Sequence, residues 1–172
     1  PLAAAKRVVF FPGSTIGNLD RAEAGTFLRR MTTLVRRGGG VIVGVDLKKD
    51  KARLEAAYDD ARGVTAAFNM NLLVRMNGEL GADFDLGAFR HRAVWNADEG
   101  RIEMHLESLR AQTVEVDGRR FAFRAGETIH TENSHKFGVA EFQALAEANG
   151  LAARAAWTDP ERLFSVHYLE AA

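Results

Sequence analysis

The stretch RVVFFPGSTIGNLD, Arg7–Asp20, decides how the fold of this chain begins. Val8–Phe11 form a short, continuous apolar run, which predicts a strand buried on both faces. The loop after it, PGSTIGN, is rich in small and polar residues. Asp20 and Glu23 then have the spacing of a capping box, so we predict that a helix begins there. A buried strand, a polar loop and a helix are typical of an α/β sheet.

The next elements continue this pattern. Apolar residues recur at helical spacing as far as Val35, and RRGGG ends that helix. VIVGVDL, Val41–Leu47, predicts a second buried strand. Two apolar strands joined by a helix predict a βαβ unit with a right-handed crossover.

The middle of the chain first predicts two helices. Asp50 is placed to cap a helix that runs through Tyr58. A second helix is predicted over Val64–Met76, with Phe68, Leu72 and Leu73 on its apolar side.

Strand patterns follow. RHRAVWNADEGRIEMHLES alternates between apolar and polar residues around the turn NADEG, and TVEVDGRRFAF predicts a hairpin at Asp117-Gly118. Residues from about 78 to 134 therefore predict an antiparallel sheet inserted into the α/β framework.

The framework resumes at the end of the chain. Phe137–Asn149 predicts an amphipathic helix closed by Gly150, and LAARAAWTD and RLFSVHYLEA predict two strands. We accordingly expect three parts: a core of strand, helix and strand over residues 1–50, an inserted helical and antiparallel β region over 51–136, and a core helix with a strand pair over 137–172.

Composition excludes several classes of protein. A length of 172 residues is typical of one domain. The formal net charge is zero, so there is no excess of basic residues to indicate nucleic-acid binding. The absence of cysteine excludes disulfides, thiolate metal sites and a Cys nucleophile, and it fits a cytoplasmic protein. No apolar run approaches the ~20 residues of a membrane span, so we expect no membrane association.

Two segments carry candidate functional residues. PGSTIGN lies at the carboxyl end of a predicted strand, where α/β sheets bind ligands, and Gly13 and Gly17 would let a ligand approach the backbone while Asn18 offers an amide. Alternatively, these polar residues only cap their own backbone. The segment IHTENSHKF is predicted as a loop. If its backbone is extended, Glu132 and Ser134 would face the same side and could bind an imidazole or an amine. Alternatively, they are solvated loop residues.

Other candidates have simpler interpretations from their residues alone. The five histidines include no H-x-x-x-H or H-E-x-x-H pair, so no metal site is predicted. Tyr58 and Met104 are typical of helix and strand packing. The glycines of GGGVIVGVD precede a strand instead of following one, which excludes a dinucleotide fingerprint.

A set of motifs nevertheless resembles a known family over most of the chain, from Arg7 to Leu169. They are FFPGSTIGNL, VGVDLKKD, AYDDARGVTAAFNMNLLVRMNGELGADFDLGAF, RIEMHLES and TENSHKF, in this order and spacing. The chain resembles the histidine-specific, S-adenosylmethionine-dependent methyltransferases, the family that includes the L-histidine Nα-methyltransferases of ergothioneine biosynthesis. The resemblance implies a class I (Rossmann-like) α/β fold and stepwise methylation of the α-amino group of L-histidine.

The resemblance also implies roles for individual residues. Asn18, with Gly13 near it, would hold the reacting α-amino group as the catalytic residue. Tyr58 would bind the substrate carboxylate. Glu132 and Ser134 would bind the imidazole, and Met104 would line its pocket, so that all three are substrate-binding residues.

The resemblance also implies what the chain does not contain. The family's glycine-rich loop for S-adenosylmethionine and its acidic residue for the ribose are not found, so cofactor-binding residues are not assigned. We expect a truncated, C-terminal part of the enzyme that binds the cofactor weakly alone, and a homodimer through an exposed sheet edge. Two alternatives stay open: a methyltransferase of another amino acid, such as a tryptophan derivative, or a non-catalytic remnant that binds an amino acid or a partner.

Overall fold

A computed structural model describes residues 6–172, which form two compact units. The first unit contains the chain up to Lys49 together with Asp98–Arg101 and Ser134–Ala172. The second contains Asp50–Ala97 and Ile102–Asn133. The expectation that residues 51–136 serve substrate binding stays a prediction.

The first unit is built on a sheet with strand order β1-β2-β9-β8. The parallel pair β1 and β2 is joined by helix α1, as the sequence predicts for a βαβ unit. Strand β9 pairs antiparallel with both β2 and β8. The elements of this unit are β1 (Val8–Phe11), α1 (Arg21–Val35), β2 (Gly40–Asp46), α4 (Val139–Glu147), β8 (Leu151–Thr158) and β9 (Phe164–Ala171).

Local signals explain where α1 begins. The Asp20 carboxylate accepts a hydrogen bond from the Glu23 N–H at 2.7 Å, and the Glu23 carboxylate accepts one from the Asp20 N–H at 2.9 Å. This reciprocal pair is the predicted capping box, and it satisfies two helix-terminal donors.

The core of the first unit is apolar. Leu28 of α1, Val43 of β2, Phe142 of α4 and Leu169 of β9 are all fully buried in one cluster. One sequence prediction is wrong here, because β1 is not buried on both faces. It pairs only with β2 among the described strands, and Val8 and Phe10 are 53% and 68% exposed.

The second unit combines two helices with strands in two sheets among the described residues. One sheet has the order β3-β4-β7, and the other is the antiparallel pair β5-β6. The sequence predicts one antiparallel sheet here, so the division into two is a correction. The elements are α2 (Lys51–Tyr58), α3 (Val64–Leu80), β3 (Phe89–Asn96), β4 (Arg101–Ser108), β5 (Gln112–Val116), β6 (Arg119–Phe123) and β7 (Thr128–His135).

The predicted hairpin at Asp117-Gly118 is confirmed. Val116 pairs with Arg119, and both turn residues have positive φ, 47° at Asp117 and 71° at Gly118. Two adjacent positive φ angles are what a two-residue turn of type I′ requires.

Two other predictions in this unit are wrong. Leu73 of α3 is fully buried, but Phe68 and Leu72 are 67% and 40% exposed. The segment around Glu132 is not a loop: it belongs to strand β7. Among residues 6–172, no helix combines the length and the apolar character that crossing a bilayer requires.

Candidate functional site

The polar loop after β1 forms a short 3₁₀ turn, Thr15–Asn18, at the carboxyl end of the strand. Ser14 stands before this turn in the left-handed region, with φ 56°. Its Oγ accepts a hydrogen bond from the backbone N–H of Asp46 at 2.8 Å, at the end of β2. The loop is therefore fixed to the neighbouring strand, so capping of its own backbone is not the whole role of Ser14.

The two glycines of this loop have different surroundings. A Cβ at Gly17 would lie 2.7 Å from the carbonyl oxygen of His135 and 3.6 Å from Ser134 Oγ. Gly17 is therefore required by close packing against the end of β7, which corrects its assignment to ligand approach. Gly13 is exposed, and a Cβ there would meet only Thr15 Oγ1 at 3.6 Å.

A buried lysine holds Ser134. Lys136 is fully buried, and its ammonium donates to Asp46 Oδ2 at 2.7 Å and to Ser134 Oγ at 2.8 Å. Asp46 Oδ1 also pairs with Lys49 at 2.6 Å. The Ser134 oxygen accepts from this ammonium, and a hydroxyl that accepts one hydrogen bond can also donate its own proton. The Asp46 carboxylate neutralises a cation that would otherwise be very costly to bury.

His135 follows Ser134 and is 3% exposed. Burial lowers its pKa below the ordinary value, and the positive charges of Arg21 and Arg101 lower it further. Among the described residues, neither ring nitrogen has a hydrogen-bond partner. His135 is therefore a buried side chain of the first unit, and its surroundings favour the neutral form.

In the second unit, Tyr58 is the last residue of α2 and is half-buried. Its carbonyl oxygen lies 2.7 Å from His91 Nε2, which must therefore carry the proton and donate. His91 Nδ1 then accepts from the side-chain amide of the buried Asn69 at 3.0 Å, and the same amide donates to the His105 carbonyl at 3.2 Å. This chain of hydrogen bonds fixes the C-terminal end of α2.

Glu132 lies on β7 and is half-buried. With Thr131 of the same strand, it lines an open cavity of about 210 Å³. The remaining lining comes from α3: Phe68, Asn69, Asn71, Leu72 and Arg75. The exposed Phe68 and Leu72 thus give this cavity an apolar wall, a role that helical periodicity did not reveal.

Met104 of β4 is 4% exposed, and its carbonyl accepts from the Thr131 hydroxyl at 2.9 Å. The six sequence-predicted residues therefore fall into two groups. Gly13, Asn18 and Ser134 belong to the first unit, and Tyr58, Met104 and Glu132 belong to the second.

Sequence reasoning missed Asp46, Lys136 and His91. Asp46 lies near the carboxyl end of a predicted strand, where α/β sheets bind ligands, so its position could have identified it as a candidate. Lys136 reads as an ordinary charged residue in TENSHKF, and nothing in its spacing reveals that it is buried.

Comparison with known proteins decides the family. A family model described as histidine-specific methyltransferase, SAM-dependent, matches residues 1–171. The chain belongs to this family. It is 51% identical over 90% of its length to histidine N-alpha-methyltransferase of Mycolicibacterium smegmatis, and 46% identical over 90% to the protein of the same name in Mycobacterium tuberculosis. In both cases it covers 49% of the relative, so this methyltransferase chain spans about half the length of the curated relatives it matches.

The fold comparison agrees with this family assignment. The solved structure of the CcbJ methyltransferase from Streptomyces caelestis matches 99% of the chain and 64% of that structure, with a TM-score of 0.50 at 16% identity. The predicted fold class, the α/β fold of class I methyltransferases, is confirmed.

Proposed function

We propose that the whole protein transfers methyl groups from S-adenosylmethionine to the α-amino nitrogen of L-histidine. The observation that carries this proposal is the presentation of Glu132 and Ser134 as alternate residues of an extended strand, β7. Alternate residues of a strand face the same side, so a carboxylate and a hydroxyl can address one ligand.

The chemistry of the pair suits an imidazole. The Ser134 oxygen accepts from Lys136, and its hydroxyl proton can be donated to the ring nitrogen that has a lone pair. The Glu132 carboxylate accepts the N–H of the other ring nitrogen. A side chain without these groups would leave the donor and the acceptor unpaired, which costs binding free energy and disfavours other amino acids.

Asn18 and Gly13 are proposed to hold the α-amino group, and both are exposed beside the 3₁₀ turn. The amide oxygen of Asn18 would accept one hydrogen of the neutral amine and direct its lone pair toward the methyl group. Alignment of this kind can supply roughly 7–11 kcal/mol of the barrier.

Tyr58 is proposed to bind the substrate carboxylate through its hydroxyl. Its backbone is held by His91, which makes the end of α2 a defined anchor for the ring. Met104 is proposed to line the imidazole pocket, and its burial is consistent with apolar contact.

S-adenosylmethionine supplies an electrophilic methyl group on a sulfonium. We propose that the described residues form only part of a site for it. The helix N-termini that follow β1 and β2 are capped by the carboxylates of Asp20 and Asp50, which occupy backbone donors there. We therefore propose that this chain alone binds the cofactor weakly. Micromolar binding in a calorimetric titration of the 172-residue chain would contradict this.

We also propose that the chain forms a homodimer through β1. The exposed Val8 and Phe10 lie on this strand, which pairs only with β2 among the described strands. Unpaired strand edges readily add another strand. A monomeric mass in light scattering at working concentration would contradict this proposal.

The histidine assignment is tested with Glu132→Ala and Ser134→Ala in the whole protein. We expect Glu132→Ala to lower kcat/KM for histidine roughly 100-fold or more, because the imidazole N–H loses its acceptor. The exposed Glu127→Gln, in the turn before β7, serves as the matched control. Unchanged kcat/KM for histidine in both alanine variants would refute the assignment.

A further inference from the structure

Three side chains of the second unit converge at a place that the proposed reaction does not use. They are Glu103 and His105 of β4 and His130 of β7, and one ligand atom from each lies within 4.8 Å of the others. His105 Nε2 lies 3.2 Å from Glu103 Oε2. The rings of His105 and His130 stack with centroids 4.6 Å apart and planes inclined by 24°.

The strand pattern explains the grouping. Glu103 and His105 are alternate residues of β4, so they lie on one face of the sheet. His130 comes from β7, the neighbouring strand in the order β3-β4-β7. A search of the sequence for two histidines at metal-binding spacing cannot find this group, because its members come from separate strands.

The hydrogen bonds of His130 leave one of its ring nitrogens able to bind a cation. His130 Nε2 lies 2.7 Å from Asn133 Oδ1 and 3.2 Å from the Glu132 carbonyl, and both atoms are acceptors. Nε2 therefore carries the proton, and Nδ1 keeps its lone pair. Metal-binding histidines are usually oriented in this way, by an acceptor on the other ring nitrogen.

The other two members differ in their surroundings. The Asn96 side-chain amide donates to Glu103 Oε1 at 2.9 Å, which orients the carboxylate. Among the described residues, the buried Nδ1 of His105 has no hydrogen-bond partner. The side chains of His105 and Glu103 are 15% and 14% exposed, whereas His130 is exposed, so an ion has a path from solvent.

We propose that Glu103, His105 and His130 bind a divalent transition-metal ion, with zinc as the best match. Two imidazole nitrogens and one carboxylate oxygen are a donor set that zinc prefers, with water in the fourth position. Tetrahedral bonds of about 2.0–2.2 Å separate ligand atoms by about 3.3–3.5 Å. The Glu103–His105 pair, at 3.2 Å, is close to this spacing, and His130, whose ring stacks on that of His105, supplies the third ligand atom.

The ion would link β4 to β7 and stabilise the second unit, because a ligand that binds only the folded state raises its stability. This role is independent of methyl transfer, so it can be tested without histidine or methyl donor. The probe is zinc chloride alone, added to chelator-treated protein and followed by calorimetry and by Tm.

We expect saturable binding near one zinc per chain and a rise in Tm. His130→Asn and Glu103→Gln should each weaken zinc binding roughly tenfold or more. Glu79→Gln, which removes an exposed carboxylate on α3, should bind zinc like the wild type. Because His130 is exposed, its variant should fold normally, and circular dichroism checks this.

A second readout identifies the ligands directly. In NMR spectra, zinc should shift the ring signals of His105 and His130 and leave those of the core residue His167 unchanged. Absence of saturable binding, or equal zinc affinity in wild type, His130→Asn and Glu103→Gln, would overturn the proposal.

Discussion

The two units use polar side chains in different ways. In the first, Lys136 is fully buried and is held by Asp46 and Ser134, so an ion pair is built into the interior. In the second, Glu107 is 9% exposed but pairs with Arg90 and Arg92, whose side chains are 62% and 55% exposed. Removing one charge of a buried pair leaves the other charge in the interior, whereas arginines that reach solvent stay hydrated without their carboxylate. Removing the carboxylate is therefore expected to cost more at Asp46 than at Glu107.

The largest expected effect on stability comes from removing one carboxylate charge in each unit and comparing the two losses. Asp46→Asn removes the carboxylate that pairs with the buried Lys136 ammonium, and we expect a loss of about 3–5 kcal/mol in the free energy of unfolding. Glu107→Gln leaves arginines that reach solvent, and we expect a loss of at most about 1 kcal/mol. Urea denaturation measures both.

The double variant Asp46→Asn, Lys136→Met is the control, because it removes both charges and should recover part of the lost stability. Equal costs for Asp46→Asn and Glu107→Gln would contradict the distinction between the two units.

Acid should also act on the first unit through His167, which is fully buried on β9. Burial lowers its pKa from 6.5 to about 4. Between these values the unfolded chain binds more protons than the folded chain, so stability falls as pH falls. We expect about 3 kcal/mol to be lost between pH 6.5 and pH 4 from this residue.

His167→Gln should remove that part of the pH dependence, as measured by urea denaturation at several pH values. A slope that is the same in His167→Gln and the wild type would count against this account.

A smaller effect is expected from His91, which we propose to position Tyr58 through its backbone. His91→Leu removes the donor to the Tyr58 carbonyl. We expect KM for histidine to rise about tenfold with little change in kcat, since about one hydrogen bond of binding energy is lost. Steady-state kinetics on the whole protein measures this.

His91→Gln keeps a side-chain donor and should restore part of the affinity. If KM is unchanged in His91→Leu, then Tyr58 does not depend on this chain of hydrogen bonds.

Local signals made much of the fold predictable. The capping box of Asp20 and Glu23 and the turn at Asp117-Gly118 depend on residues within a few positions, and both formed as predicted. The βαβ unit followed from two apolar runs and one helical pattern. The resemblance of the motifs to a family was confirmed by the family match.

Features that depend on distant neighbours were not predictable. An apolar run indicates a strand but not whether both faces are covered, so the exposure of Phe10 was missed. Helical spacing placed Phe68 with Leu73, yet only Leu73 is covered. The Asp46–Lys136 pair joins the end of β2 to the residue after β7, a contact that no local pattern encodes. The site residues themselves rest on the family resemblance and stay predictions.

The most direct test of the central claim is a competition assay on the whole protein. It would be incubated with S-adenosylmethionine and an equal mixture of L-histidine and L-tryptophan, and the products would be followed by mass spectrometry. Our account predicts methylated histidine, progressing to the trimethylated form, with tryptophan left largely unmodified. Methylated tryptophan with unmodified histidine would contradict it.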